Sequence, residues 1–164
     1  MHDNMGSWKK GRVFFTDTPI SEKPTNPKDA IGSTTKVPMS MVPAPVLMEI
    51  GLAMLEGGSK YGKYNFRGVG VRGSVYYDAT MRHMMDYWEG EDYDPDSIAG
   101  LHHISKAISS LVVMRDSMIR GNYVDDRPPS SKKGWMQALN SKVPLILEEH
   151  KDKDPKHWTI EDNV

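Results

Sequence analysis

Apolar residues recur every three or four positions over three long stretches of this chain, the periodicity of amphipathic helices. The first stretch runs from Pro45 to about Tyr61. Leu47, Ile50 and Met54 form one stripe, and Glu49, Leu52, Ala53, Glu56 and Lys60 fall on another face. Pro45 suits a first turn, where a missing N–H forfeits no helical bond. The second stretch runs from about Ser74 to Trp88. Tyr77, Met81, Met84 and Trp88 mark its apolar side, and Asp78, Arg82, Asp86 and Glu89 line up beside them. The third spans about Leu101 to Arg120, with Leu101, Ile104, Ile108, Leu111 and Val112 as its expected core side and Gly121-Asn122 as its stop. A fourth helix is expected from Trp135 to Glu149, interrupted or restarted at Pro144.

The connecting segments are read from their breakers. Gly62 to Gly73 reads as a loop, and Glu91 to Gly100 as an acidic loop whose Ser97 is expected to cap the third helix. Pro27, Pro38, Pro43 and Pro45 forbid a long helix ahead of the first stretch. That segment reads as an extended lead-in packed through Ile31, Val37, Met39, Met41 and Val42. Residues 1–25 lack periodicity and are expected to be mobile, with Arg12-Val13-Phe14-Phe15 the one strand-like run. The tail beyond Lys151 is polar, with Trp158 as its candidate anchor. Strand signals are nearly absent, so the expected fold is all-α. The expected organisation is a mobile segment at 1–25, a helical domain at 26–129, and a C-terminal helical arm and polar tail at 130–164.

Composition narrows the function. A chain of 164 residues forms one domain with a real core. Its 21 basic and 22 acidic residues nearly cancel, which argues against bulk nucleic-acid binding. With no cysteine there is no disulfide scaffold, thiolate zinc site or thiol nucleophile. No apolar run approaches the roughly 20 residues of a membrane span. Lys9, Lys10 and Arg12 precede no apolar stretch, so a secretory leader is not expected. The chain reads as soluble and intracellular.

The candidate chemistry is carboxylate-rich. Glu49, Glu56, Asp78, Asp86, Glu89, Glu91, Asp92, Asp94, Asp96 and Asp116 recur on the helices and in the acidic loop. Carboxylates on neighbouring helices suit Mg²⁺ or Mn²⁺, which take oxygen ligands and retain waters and phosphate oxygens. Any one of them alone reads more readily as solvated surface, and spacing does not select among them. Lys60-Tyr61 with Asn65 and Arg67 suits anchoring of phosphates or reading of a base edge, and equally suits ordinary turn chemistry. No His-x-x-x-His pair is present, and His83 ahead of Asp86 is not read as a metal motif. The histidines are read as structural, His103 being the best exception. Phosphate-loop, nucleophile-elbow and dinucleotide fingerprints are all missing.

Several stretches together resemble a phage family, the dATP/dGTP diphosphohydrolases, related to MazG-like nucleoside triphosphate pyrophosphohydrolases. They are Asn26-Pro-Lys-Asp-Ala30, Lys36-Val-Pro, Val42-Pro-Ala-Pro-Val46, Lys60-Tyr-Gly with Asn65 and Arg67, Arg82-His83, Glu89-Gly-Glu-Asp92, Asp94-Pro-Asp-Ser97 with a following His, and Asp125-Asp-Arg-Pro-Pro129. The resemblance implies a MazG-like helical bundle that assembles as a dimer or tetramer, in the host cytoplasm for a phage product. It implies cleavage of a purine deoxynucleoside triphosphate, dGTP or dATP, to the monophosphate and pyrophosphate with Mg²⁺ or Mn²⁺. MazG-like enzymes carry Glu-x-x-Glu and Glu-x-x-Asp. Here Glu49-Ile-Gly-Leu departs from the first, and Asp86-Tyr-Trp-Glu89 approximates the second.

The expected metal ligands are Glu49, Glu89, Glu91 and Asp94, with Glu56 and Asp116 in reserve. Glu91 is also the expected catalytic carboxylate, and His103 is expected to orient the attacking water. Lys60, Arg67, Arg82 and Lys106 are expected to neutralise the triphosphate, and Asn65 and Tyr61 to contact sugar or base. The alternative class is a non-catalytic nucleotide-binding or host-defence-blocking protein.

Overall fold

The computed structural model describes residues 26–28 and 36–162. The chain divides into two compact units, 1–41 and 42–164. In the first, the Lys28 N–H donates to Asn26 Oδ1 at 2.8 Å, a local Asx turn within the Asn-Pro-Lys-Asp stretch. A short 3₁₀ turn follows at Met39–Met41. Val37, Met39 and Met41 are exposed, not buried as the apolar character of the lead-in suggests. Ile31 and the strand-like run Arg12–Phe15 lie outside the described residues.

The second unit is built on helices α1 (Ala44–Tyr61), α2 (Asn65–Val69), α3 (Gly73–Trp88) and α4 (His103–Arg120). Short strands β1 (Val71–Arg72) and β2 (Tyr123–Val124) pair in parallel, Val71 opposite Tyr123 and Arg72 opposite Val124. Helices α5 (Trp135–Asn140) and α6 (Val143–Glu149) follow, then a 3₁₀ turn at Ile160–Asp162. The fold is all-α apart from the one short strand pair among the described residues. Helix α4 is its centre and packs along α3, α1 and α2. No described helix is long and apolar enough to cross a membrane.

The segment from Gly62 to Gly73 is more ordered than a loop. Gly62 (φ 95°) ends α1, and Tyr64 enters α2 at φ 60°, a left-handed conformation rare for a ring-bearing residue. Its ring lies beside the Lys63 and Arg67 cations. Phe66 is the anchor: it joins Val71 and Val113 in the core, flanked by Met54, Tyr76 and Tyr123. Burying such a ring contributes about 2–3 kcal/mol, enough to hold a five-residue helix that would not persist alone. Asn122 Nδ2 donates to the carbonyls of Phe66 and Arg67, closing the end of α2 against the end of α4.

Helix α3 begins with a long-range cap. Asp126 accepts from the Ser74 N–H at 2.8 Å and from Ser74 Oγ at 2.5 Å, which satisfies donors at the helix start. This gives the Asp125-Asp126-Arg127 stretch a structural task. Asp125 next to it pairs with Arg127, whose hydrogen bonds pull the Asp125 carboxyl down to about 2.

The expected core side of α4 is only partly buried: Leu101 just ahead of the helix is in the core and Ile104 and Ile108 are half-buried. His103, Ser105, Ala107, Val113 and Ser117 point inward, while Leu111 and Val112 are more than two-fifths exposed. Small side chains take the most buried positions, and Leu111 and Val112 of the larger apolar stripe turn outward. Met84, Tyr77 and Trp88 of α3 are exposed as well, Trp88 at 82 %. The start of α4 also differs: His102 Nδ1, not Ser97, accepts from the Ile104 N–H at 3.1 Å as the N-cap. The C-terminal arm does break near Pro144, and neither of its helices buries a residue. Trp158 is exposed; the tail touches the body through Ile160, whose side chain occupies the space beside Gly90.

Candidate functional site

Three helices and one loop bring a polar cluster together. Helix α1 supplies Glu56 and Lys60, α3 supplies His83 and Asp86, and α4 supplies His103 and Lys106. The loop between α3 and α4 supplies Asp94 and Ser97. That loop is tightly folded. Asp94 N–H donates to Leu101 O and His103 N–H to Asp92 O, both at 2.9 Å, and Tyr93 bridges His102. Asp94 Oδ1 accepts from the Asp96 N–H at 2.9 Å, so the Asp-Pro-Asp-Ser stretch is an Asx turn that holds Asp94 and Ser97 inside.

Lys106 joins the carboxylates. Its Nζ donates to Asp94 Oδ2 and lies 3.3 Å from Glu56 Oε2. Glu56 also accepts from Lys60 at 2.7 Å, and Ser97 Oγ lies 3.5 Å from its other oxygen. Burial raises the pKa of both carboxyls. The hydrogen bonds and charges of Lys60 and Lys106 outweigh that at Glu56, as those of Lys106 and the Asp96 N–H do at Asp94, so each lies below its ordinary value. Both are anions at neutral pH.

The two histidines meet beside this network. His83 Nδ1 and His103 Nδ1 are 2.9 Å apart, and Asp86 Oδ2 is 3.9 Å from His103 Nδ1. His103 is 2 % exposed, and its Nε2 is buried without a hydrogen-bond partner, at a cost of about 1–3 kcal/mol. Burial holds His83 below its ordinary pKa, and Lys106 adds to the effect, so the ring is neutral at pH 7 and has a lone pair to offer. Among the described residues, His83, Asp86 and His103 form the group whose ligand atoms all lie within 4.8 Å of one another.

The residues singled out by sequence are distributed as follows. Asp94, Lys60, Lys106, His103 and the reserve Glu56 belong to the cluster. Glu49 lies about two turns before Glu56 on α1 and accepts from Ser105 Oγ at 2.5 Å. Glu89 caps the end of α3, and the Glu91 N–H donates to Asp86 O; both side chains are exposed. Arg67 forms a two-bonded pair with Asp116, at 2.9 and 2.6 Å, which braces α2 on α4. Tyr61 and Asn65 are exposed at the α1–α2 junction, and Asn65 Oδ1 accepts from the Phe66 N–H. Arg82 is exposed and makes no ion pair among the described residues. Spacing did not reveal the grouping of His83 and Asp86 with His103. The available signal was their i, i+3 placement on one helix face.

Fold and cluster together define a mostly helical chain with a polar centre between three helices, where His83, Asp86 and His103 could hold a cation. The chain belongs to the dATP/dGTP diphosphohydrolase N-terminal family, whose sequence model matches residues 25–127. It is 28 % identical over 120 residues to a dATP/dGTP diphosphohydrolase of Salmonella phage PMBT28. That alignment takes in 73 % of this chain and 37 % of the relative, so the chain spans little more than a third of the relative's length. No solved structure matches it.

Proposed function

We propose that this chain hydrolyses a purine deoxynucleoside triphosphate, dGTP or dATP, to the monophosphate and pyrophosphate with Mg²⁺ or Mn²⁺. One observation carries the reading: in a chain of this family, His83, Asp86 and His103 converge beside the Glu56–Lys106–Asp94 network. The donors fit a divalent first-row ion such as Mn²⁺ better than Mg²⁺, since two imidazole nitrogens and a carboxylate come together from two helices. His83, Asp86 and His103 are the residues that would hold it. When bound, such an ion polarises phosphoryl oxygens and lowers the pKa of water.

The remaining steps belong to this chain's own side chains. Lys60 of the cluster and the exposed Arg82, next to His83 in the chain, neutralise the triphosphate. Glu91, one residue beyond the turn that ends α3, takes a proton from the attacking water. The water oxygen bonds to the α-phosphorus, and the bond from that phosphorus to the oxygen bridging the β-phosphate breaks. Pyrophosphate leaves with that oxygen and the bonding electron pair. Tyr61 and Asn65 contact the sugar or base. Assembly as a dimer or tetramer belongs to the same reading. Its support is the outward apolar stripes of α3 and α4, which a second copy would cover.

The test is incubation with dGTP or dATP plus Mg²⁺ or Mn²⁺ and separation of products by anion exchange. Equal amounts of monophosphate and pyrophosphate are expected. Absence of product with any nucleotide leaves a binding module instead.

A further inference from the structure

The cluster contains two possible cation positions of different chemistry, and only one of them lacks a cation of its own. Between Glu56 and Asp94, the place where a hard ion would meet two carboxylates is taken by the Lys106 ammonium. Hard ions such as Mg²⁺ want oxygen ligands. The second position has two nitrogens and one carboxylate. Two nitrogens about 2.1 Å from one ion, at adjacent coordination positions, lie about 3 Å apart. The His83 and His103 Nδ1 atoms are 2.9 Å apart. Asp86 is half-exposed, and its Oδ2 lies 3.9 Å from His103 Nδ1, within reach of the same ion. Imidazole suits Co²⁺ and Zn²⁺ far better than Mg²⁺, with Mn²⁺ at the weak end of the first-row series.

We propose that His83, Asp86 and His103 form a binding site selective for a first-row transition ion over Mg²⁺. The proposal rests on the functional reading only in placing this site at the reaction centre; ion binding itself is measured without nucleotide. His103 begins α4, so its ring is fixed by burial. His83 and Asp86 share one face of α3. The site is thus assembled by the packing of α3 on α4, not by a local motif.

The test is calorimetric titration of the full chain with Co²⁺, Mn²⁺, Zn²⁺ and Mg²⁺, together with the visible spectrum of the Co²⁺ form. One ion per chain is expected, bound in the order Mn²⁺, Co²⁺, Zn²⁺ from weaker to tighter, with Mg²⁺ weaker than all three. Loss of an outer-shell partner alone typically weakens metal affinity about 10- to 100-fold, so H83Q and D86N should each weaken Co²⁺ binding at least that much. Neither side chain is fully buried, so far-UV circular dichroism should stay unchanged. Absence of a Co²⁺ complex, Mg²⁺ binding as tight as Co²⁺, or undiminished Co²⁺ binding in the folded variants would each overturn the proposal. Binding without nucleotide turnover would sink the hydrolase reading and leave this site standing. Turnover with Mg²⁺ in a chain that forms no Co²⁺ complex would do the reverse.

Discussion

Lys106 is tied to Asp94: its ammonium donates to Oδ2 of a carboxylate that the folded loop has already drawn into the protein. The contact joins the second turn of α4 to the connection that precedes it, and Glu56 of α1 completes it from the other side. A fixed cation here makes the carboxylate pair self-sufficient.

Replacing Lys106 by Met should therefore destabilise the chain and uncover an oxygen-lined site. Removing one partner of a mostly buried pair, with charged hydrogen bonds lost, costs about 2–4 kcal/mol. Mg²⁺ should recover part of that loss in the variant and have a smaller effect on the parent, because an ion bound only to the folded state stabilises it. Thermal unfolding with and without Mg²⁺ makes the comparison. An equal Mg²⁺ response in both proteins would show that Lys106 does not occupy a cation position.

Arg82→Met should raise the KM for dGTP about tenfold while changing kcat less, the effect of losing one charge-assisted phosphate contact made alike in ground and transition states. Steady-state kinetics at saturating metal reads it. An unchanged KM would remove Arg82 from the phosphate path.

Gly70→Ala should be costly and Gly68→Ala should not. Gly70 has φ 78°, and a Cβ there would lie 2.2 Å from the Asn122 carbonyl oxygen. Left-handed strain and the forced shift of backbone together cost about 2–4 kcal/mol. Gly68 lies within α2 and a Cβ there meets nothing within 4 Å, so alanine should be neutral or gain up to about 1 kcal/mol. Urea midpoints of the two variants test the pair.

Acid should loosen the start of α3 through Asp126. Hydrogen bonds from the Ser74 side chain and N–H, opposed by desolvation, hold its carboxyl below the ordinary value. A depressed folded pKa means stability that is complete above the unfolded value of about 3.9 and lost as pH falls through the folded one. Asp126→Asn should flatten that part of the stability profile. Melting curves between neutral pH and pH 2 of parent and variant would show it, and superimposable slopes would contradict it.

The outward stripe of α4 should mediate self-association. Ile108, Leu111, Val112 and Ile119 line an open groove with Arg115 and Asp116. A Leu111→Glu, Ile119→Glu double variant should elute as a monomer in size exclusion with light scattering, where the parent elutes as a dimer or tetramer. A parent that remains monomeric at high concentration would refute this.

Periodicity alone located α1, α3, α4 and the broken C-terminal arm to within a residue or two at most ends, because helix-length apolar spacing is a local property. Local spacing could not show that Gly62 to Gly73 holds a short helix and a strand. Both exist only because Phe66 and Val71 find Val113 in a distant segment and Tyr123 supplies a partner strand. It found Leu101 but missed Ser105, Ala107 and Ser117 on the buried face of α4, because it ranked residues by apolar size. In the site, residue type was enough to mark Asp94, Lys60, Lys106 and His103. Which carboxylate meets which cation, and that His83 faces His103, depends on how α3 lies across α4. That geometry is set by packing between segments about twenty residues apart, and no single stretch of chain encodes it.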